Sequence, residues 1–116
     1  MRELIAILMI ATGVLYIVLA IPLKNKKVGP NGLYGLRTKA TFSNPDVWYE
    51  ANRISAGYMS KVGWLIMLTS IVTYFISALS FEWMLAIDLA VVILGTVWMA
   101  WASIGLANKL ARQVSS

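Results

Sequence analysis

The chain has 116 residues, of which 59% are hydrophobic and only 13% are charged. Soluble domains carry about 25% charged residues, because a small protein has a large surface to cover with polar groups. The composition therefore favours a single membrane domain, residues 1–116. Cysteine and histidine are both absent, which excludes disulfides, thiol nucleophiles, histidine bases and the usual zinc sites.

Three apolar runs follow one another along the chain and predict three transmembrane helices. The first, residues 4–23, is free of charge and has the length needed to cross about 30 Å of hydrocarbon. This stretch is longer than the apolar part of a signal peptide, so we interpret it as a retained anchor. The second run is residues 62–81, and the third is residues 83–107, which only Asp88 interrupts.

Basic residues are unequally distributed between the two ends of these spans and predict their orientation. Residues 24–61 contain seven Lys or Arg residues against two acidic ones, and the tail adds Lys109 and Arg112, whereas Arg2 is alone on the opposite side. Lys and Arg favour the cytoplasmic side of a membrane. We therefore expect the N-terminus outside, with the long loop and the C-terminus in the cytoplasm, where the cations would attract anionic lipid.

Small or polar residues recur every seven positions in each span, which places them on one stripe of each helix. Small residues on a stripe let helices approach closely in lipid. The pattern favours ordinary helix packing, with a lined cavity or a partner groove as the alternative. The residues concerned are Ala6, Gly13, Ala20, Gly63, Ser70, Ser77, Asp88, Gly95 and Ala102.

Asp88 is the one charged residue inside an apolar run. A carboxylate in a membrane helix is costly, and for that reason it is a candidate functional residue. Two interpretations stay open at this point. Asp88 either faces the interior of the bundle, or lies at the membrane interface near a helix N-terminus, where negative charge is favourable.

Residues 24–44 are predicted to form turns and loop, since glycines recur every three residues from Gly29 to Gly35. This spacing matches neither the dinucleotide fingerprint nor a P-loop. Arg37 lies in a tight turn of this segment, and its fork-shaped side chain suits a carboxylate or a phosphate. Its partner would be Glu50, a lipid phosphate or a peptide terminus. We do not expect nucleic-acid binding, because the basic surface is short and adjoins a membrane.

A helix is predicted to start at Pro45, with Ser43 or Asn44 as its cap. Its polar and apolar residues occupy opposite arcs, which predicts an amphipathic helix on the cytoplasmic membrane surface that leads into the second span. Glu50 and Arg53 lie three positions apart on the polar arc, so we expect them to pair.

The same segment carries a Gly-Leu-Arg-Thr motif followed by hydroxyl, Trp and Asn-Arg residues. In chain order these are Gly35, Leu36, Arg37, Thr38, Thr41, Ser43, Asn44, Trp48, Asn52, Arg53 and Gly57. The pattern resembles the SdpI/YfhL family of small bacterial membrane proteins, and the chain corresponds to the short form of that family.

The resemblance implies an integral protein of the bacterial cell membrane. The best-understood members protect the producing cell from a membrane-active killing peptide, and some take part in signalling by holding a transcriptional repressor at the membrane. By motif position, the binding residues that carry over are Arg37, Thr38, Asn44, Trp48, Asn52, Arg53 and Gly57. Two further candidates come from the residue pattern and not from the resemblance. They are Asp88, an intramembrane polar candidate, and Glu50, a candidate ion-pair partner.

We therefore expect an all-α membrane protein with three transmembrane helices and a cytoplasmic-side interfacial helix. Its expected function is to bind a membrane-active peptide and confer resistance, without catalysis, cofactor or metal. One alternative is an accessory or scaffold subunit, or a self-associating protein, with another membrane protein or a second copy as partner. The other is an oligomeric transporter or lipid-acting protein that uses Asp88 or Glu50 as its titratable group.

Overall fold

The computed structural model describes residues 1–115 of the chain, and these residues contain four helices. They are α1 (Arg2–Lys24), α2 (Lys39–Phe42), α3 (Pro45–Phe75) and α4 (Phe81–Ser115). No strand occurs within these residues, so the predicted all-α fold is confirmed. The three long helices form an elongated bundle of 56 × 22 × 19 Å.

The central helix of the bundle is α3. It packs along both α1 and α4, whereas α1 and α4 touch each other at few positions. Gly13 and Gly63 face each other where α1 crosses α3, and a Cβ atom added to either would lie only 2.6 or 2.7 Å from the carbonyl oxygen of the other. On the α4 side, a Cβ atom at Gly95 would lie 3.0 Å from Val62. Small residues of the predicted stripes therefore allow the close packing of these backbones.

Two helices, not three, are long and apolar enough to cross a membrane: α1 and the part of α4 from Phe81 to Val114. The predicted second span, 62–81, is wrong in its extent because α3 ends at Phe75 and residues 76–80 form the turn into α4. The apolar part of α3 that remains, Val62–Phe75, is about 21 Å long at 1.5 Å per residue, which is shorter than the hydrocarbon core.

The predicted amphipathic stretch ahead of residue 62 is the first half of α3, and it continues without a break into the apolar part of that helix. Its apolar arc is covered by the C-terminal half of α4. Val47 lines a cavity together with Leu110, and the rings of Tyr58 and Trp98 lie 5.3 Å apart. Because α4 continues well beyond the predicted end of the third span, it supplies the apolar surface on which this stretch packs.

At one end of the bundle, Arg2 joins the start of α1 to the turn between α3 and α4. Its guanidinium donates hydrogen bonds of 2.6–3.1 Å to four backbone carbonyl oxygens between residues 73 and 79. The last carbonyls of a helix lack intrahelical partners, so Arg2 caps α3. We call this end, with residues 76–80, the turn end, and the opposite end, with residues 25–44, the loop end.

Candidate functional site

The loop between α1 and α3 is attached to α3 by Asn52, which is only 2% exposed. Asn52 Oδ1 accepts a hydrogen bond from the Leu36 N–H at 2.6 Å. Its Nδ2 donates to the Trp48 carbonyl oxygen at 2.9 Å and lies 3.5 Å from the Leu36 carbonyl oxygen. A buried amide without these partners would be costly, so Asn52 holds the loop at one position along α3.

Gly35 allows the loop to come this close. Its φ angle is +105°, a conformation that residues with a Cβ atom rarely adopt. A Cβ atom here would also lie 2.9 Å from Asn52 Oδ1 and 3.3 Å from Trp48 Cζ2. In the Gly-Leu pair of the motif, Gly35 therefore allows the close approach because it has no side chain. Leu36 supplies the backbone groups that contact Asn52.

Trp48 lies one turn before Asn52 and is fully buried. Its Nε1–H donates to the Val28 carbonyl oxygen at 2.8 Å, and its ring lies 5.4 Å from the ring of Phe42. Since Val28 and Phe42 come from opposite ends of the loop, Trp48 contacts both ends while Asn52 holds the middle. We call Gly35, Leu36, Trp48 and Asn52 the loop lock.

Two caps order the rest of the loop. Thr38 caps α2, a single turn that the sequence did not predict: its Oγ1 accepts from the Thr41 N–H at 3.1 Å, and its N–H donates to Thr41 Oγ1 at 2.8 Å. Asn44 caps α3, because its Oδ1 accepts from the Asp46 N–H at 2.8 Å. The predicted helix start is confirmed, with Asn44 rather than Ser43 as the cap.

Charged residues at the start of α3 lie on its outer face. Arg53 Nε donates to Glu50 Oε2 at 3.2 Å, and Arg53 Nη2 bonds the other carboxylate oxygen, which confirms the predicted pair. Lys26 Nζ lies 3.7 Å from the same carboxylate. The hydrogen bonds from Arg53 hold the pKa of the Glu50 carboxyl below its ordinary value, and they raise the pKa of Arg53.

Arg37 is exposed on the loop end and donates from Nη1 to the Gly32 carbonyl oxygen. Of the three partners considered for it, Glu50 is wrong, since that carboxylate pairs with Arg53 and Lys26. The position leaves the guanidinium accessible to a phosphate or carboxylate from outside the chain.

Motif residues therefore fall into two groups. The structure brings Trp48 and Asn52 together in the loop lock, whereas Arg37 and Arg53 lie apart at the surface. Gly57 is partly exposed on α3, and a Cβ atom there would meet nothing within 4 Å. Close packing therefore does not explain the glycine at this position.

Next to the loop lock, an apolar cavity of about 240 Å³ lies between α1 and α4, with α3 as its floor. We call it the groove. Its lining residues are Leu19, Leu23, Tyr34, Gly35, Leu36, Asn52, Ser55, Ala56, Met59, Met99, Ala100 and Ser103. The hydroxyls of Ser55 and Ser103 lie 2.7 Å apart and join α3 to α4, and those of Tyr16 and Thr96, also 2.7 Å apart, join α1 to α4 nearer the turn end.

Sequence reasoning missed the residues that join the helices. Ser55 and Ser103 are hydroxyl residues in apolar helices, a type that forms hydrogen bonds between membrane helices, and this was the available signal. Arg2 was counted only for the orientation of the spans. Nothing in its surroundings in the sequence indicates that it contacts carbonyls more than 70 residues away.

The structure places Asp88 in the bundle interior, where it is 2% exposed, far from the loop lock. Its Oδ1 accepts a hydrogen bond from Thr73 Oγ1 at 3.0 Å. Among residues 1–115, neither Asp88 Oδ2 nor Ser70 Oγ has a hydrogen-bond partner, although both atoms are buried. The same part of the chain contains no group of three or more His, Cys, Asp or Glu side chains that would hold a metal ion.

These features define a class of protein: a small helical chain with two helices able to cross a membrane and a loop locked onto its central helix. The model of the SdpI/YfhL protein family matches residues 27–103, about two thirds of the chain, and the chain belongs to this family. The match includes both the loop lock and Asp88. Comparison with curated proteins gave no significant match, and comparison with solved structures gave none either.

Proposed function

We propose that this chain is an integral protein of the bacterial cell membrane that confers resistance to a membrane-active peptide by binding it. Family membership and the two apolar helices α1 and α4 support the membrane location. Since α3 lies between these helices, its part Val62–Phe75 shares the bilayer with them. The immunity role is the one that resemblance to the family implies.

In the proposed orientation the loop end faces the cytoplasm, because most Lys and Arg residues lie at or near this end. The chain has no cysteine, so single cysteines test this directly. A membrane-impermeant maleimide should label Ala78→Cys at the turn end of intact cells. It should label Asn25→Cys at the loop end only after the cells are permeabilised. The reverse pattern would contradict the orientation.

The observation that carries the binding proposal is the groove. Its walls are largely apolar, and its few polar groups, such as Asn52 and the Ser55–Ser103 pair, lie at defined positions, as in sites that bind apolar ligands. The groove suits apolar side chains of a membrane-inserted peptide. Arg37 is exposed at the loop end, and its fork-shaped side chain suits an acidic group such as a peptide carboxylate.

The scaffold alternative has less support, because the small residues that suggested it are used inside the chain. Gly13 and Gly63 contact each other, and Gly95 contacts Val62. No arrangement of side chains at the groove favours transport or lipid chemistry. We therefore propose binding without catalysis.

Expression of the chain in sensitive cells tests the proposed function. Survival is measured against a panel of membrane-active peptides for the wild type, Ala100→Phe and Ala90→Phe. Ala100 lines the groove, whereas Ala90 is exposed on α4 outside it, so the second variant is a matched control.

We expect the wild type and Ala90→Phe to raise survival and Ala100→Phe to lose this effect, because the larger ring fills the groove. If cells that express the wild-type chain survive no better than cells without it against every peptide of the panel, the immunity proposal is overturned. Equal protection by all three chains would show that the groove is not the binding site.

A further inference from the structure

Three side chains form a buried polar cluster near the turn end: Ser70 and Thr73 of α3 and Asp88 of α4, with exposed fractions of 0%, 4% and 2%. The cluster has more oxygen acceptors than hydrogens. The single hydroxyl hydrogen of Thr73 lies within reach of the Ser70 carbonyl oxygen, at 3.1 Å, and of Asp88 Oδ1, at 3.0 Å. Within the described chain, Asp88 Oδ2 and Ser70 Oγ remain without a partner.

Within residues 1–115, no Lys, Arg or terminal amine forms an ion pair with Asp88. On α1, Arg2 is occupied by carbonyl oxygens of the turn, and Glu3 is exposed beside the N-terminal amine. On α3, no charged residue follows Lys61, and on α4, Glu82 is exposed. Tyr74, the ionisable residue next to Thr73, packs against the ring of Phe75 and the apolar cluster of Ile5, Ala6 and Met84.

An isolated carboxylate in an apolar interior is very costly, so such groups are paired or neutralised. In membrane helices, ionisable residues that face the interior commonly mark ion-binding positions. Asp88 lies seven residues after the start of α4, about 10 Å along the helix, so a small ion has only a short path from the turn end.

We propose that Asp88, Ser70 and Thr73 form a binding site for one small monovalent cation, a proton or Na⁺. Either ion supplies the single positive charge that neutralises the carboxylate. A proton on the carboxyl also gives Asp88 an O–H that donates to a neighbouring hydroxyl oxygen, whereas Na⁺ is liganded by the carboxylate and hydroxyl oxygens, the hard donors such a cation prefers. The site lies away from the groove and does not depend on the proposed function.

Thermal unfolding of the full chain in lipid nanodiscs tests the proposal. Na⁺ is exchanged for choline at constant ionic strength in one series, and pH is varied in the other. A ligand that binds only the folded state raises its stability by mass action. We expect the melting temperature of the wild type to rise by several degrees with Na⁺, if that is the ion, or as the pH falls, if it is a proton.

The matched variants are Asp88→Asn and Asp46→Asn. These are the two aspartates of the chain, and Asp46 is exposed. Asp88→Asn should abolish the ion dependence, and Asp46→Asn should keep it. Ser70→Ala provides a milder change that keeps the carboxylate, and it should weaken the apparent ion affinity about tenfold through loss of one oxygen partner. An ion dependence that Asp88→Asn leaves intact, or no dependence at all, would overturn the proposal.

Infrared spectroscopy identifies the ion without relying on the stability of Asp88→Asn. In the Asp46→Asn background, ¹³C-labelled aspartate reports on Asp88 alone. The carbonyl stretch of a neutral acid assigns the ion as a proton. A carboxylate band that shifts when Na⁺ replaces choline assigns it as Na⁺. An ionised band that neither ion changes contradicts the proposal.

Discussion

The two ends of the bundle use their buried polar groups in opposite ways. At the loop end, the side chains of Trp48, Asn52 and Thr41 are buried and each bonds a defined backbone or side-chain partner. At the turn end, Arg2 satisfies four carbonyl oxygens, yet Asp88 and Ser70 next to them keep unpaired oxygens within the described residues.

The difference separates residues that stabilise one backbone arrangement from residues that remain able to bind another molecule or ion. A buried polar group with all its partners specifies one backbone arrangement, and this is what the loop lock does. Arg37 at the surface, the groove and the Asp88 cluster instead keep bonding capacity or space for another molecule or ion. Four motif residues, Thr38, Asn44, Trp48 and Asn52, thus have a structural role, and Asn52 also lines the groove.

Both ends depend on the crossing of α1 and α3, and Gly13→Ala should have the largest effect. The new Cβ atom would lie 2.6 Å from the Gly63 carbonyl oxygen and 2.4 Å from Met67 Cγ. We expect a loss of about 2–4 kcal/mol in unfolding free energy, measured by denaturant titration in mixed micelles, because backbone must move.

The matched control is Gly105→Ala, also in a helix but with nothing within 4 Å of the added Cβ atom. It should be neutral or stabilising by up to about 1 kcal/mol. Similar losses for both variants would show that the close crossing is not what stabilises the bundle.

Asn52→Leu should break the loop end alone. It leaves the Leu36 N–H and the Trp48 carbonyl oxygen without their side-chain partner, and we expect a loss of about 2–3 kcal/mol. Limited proteolysis should then cut within residues 25–44. Asn108→Leu, on the exposed side of α4, should change neither stability nor cleavage, and a loop that stays resistant in Asn52→Leu would refute the role of the lock.

Arg2→Gln should loosen the turn end while the loop end is unchanged. Loss of the guanidinium removes donors from the last carbonyls of α3, which we expect to cost about 1–2 kcal/mol. Amide hydrogen exchange should accelerate in residues 76–84 and not in residues 30–40. Arg2→Lys, which keeps the charge but not the fork, should recover only part of the protection.

Glu50→Gln should have the smallest effect, at most about 0.5 kcal/mol, because the pair with Arg53 is exposed. The pKa of the Glu50 carboxyl is lower in the folded chain than in the unfolded one, owing to the hydrogen bonds from Arg53. Its contribution is therefore complete above the unfolded pKa and is lost as pH falls through the folded pKa. Unfolding measured at neutral and acidic pH should show this small difference in the wild type and not in Glu50→Gln.

Features that depend on near neighbours in the chain were predictable. The helical class follows from composition and apolar runs, the Asn44 cap from the residues that follow it, and the Glu50–Arg53 pair from their spacing of three. Each of these rests on contacts within one helical turn, where geometry is nearly constant. The loop lock was different, since the motif was visible but its contacts were not.

Contacts between distant segments were decided only by the tertiary structure. Asn52 bonds a loop residue 16 positions away, and Arg2 bonds carbonyls more than 70 positions away. The extent of α3 and the covering of its amphipathic half by α4 follow from packing in the same way. By itself, the sequence determined the all-helical class and where the charges lie, because these follow from local geometry and transfer energy. Which buried atoms find partners was decided by folding, because that depends on how three helices pack together.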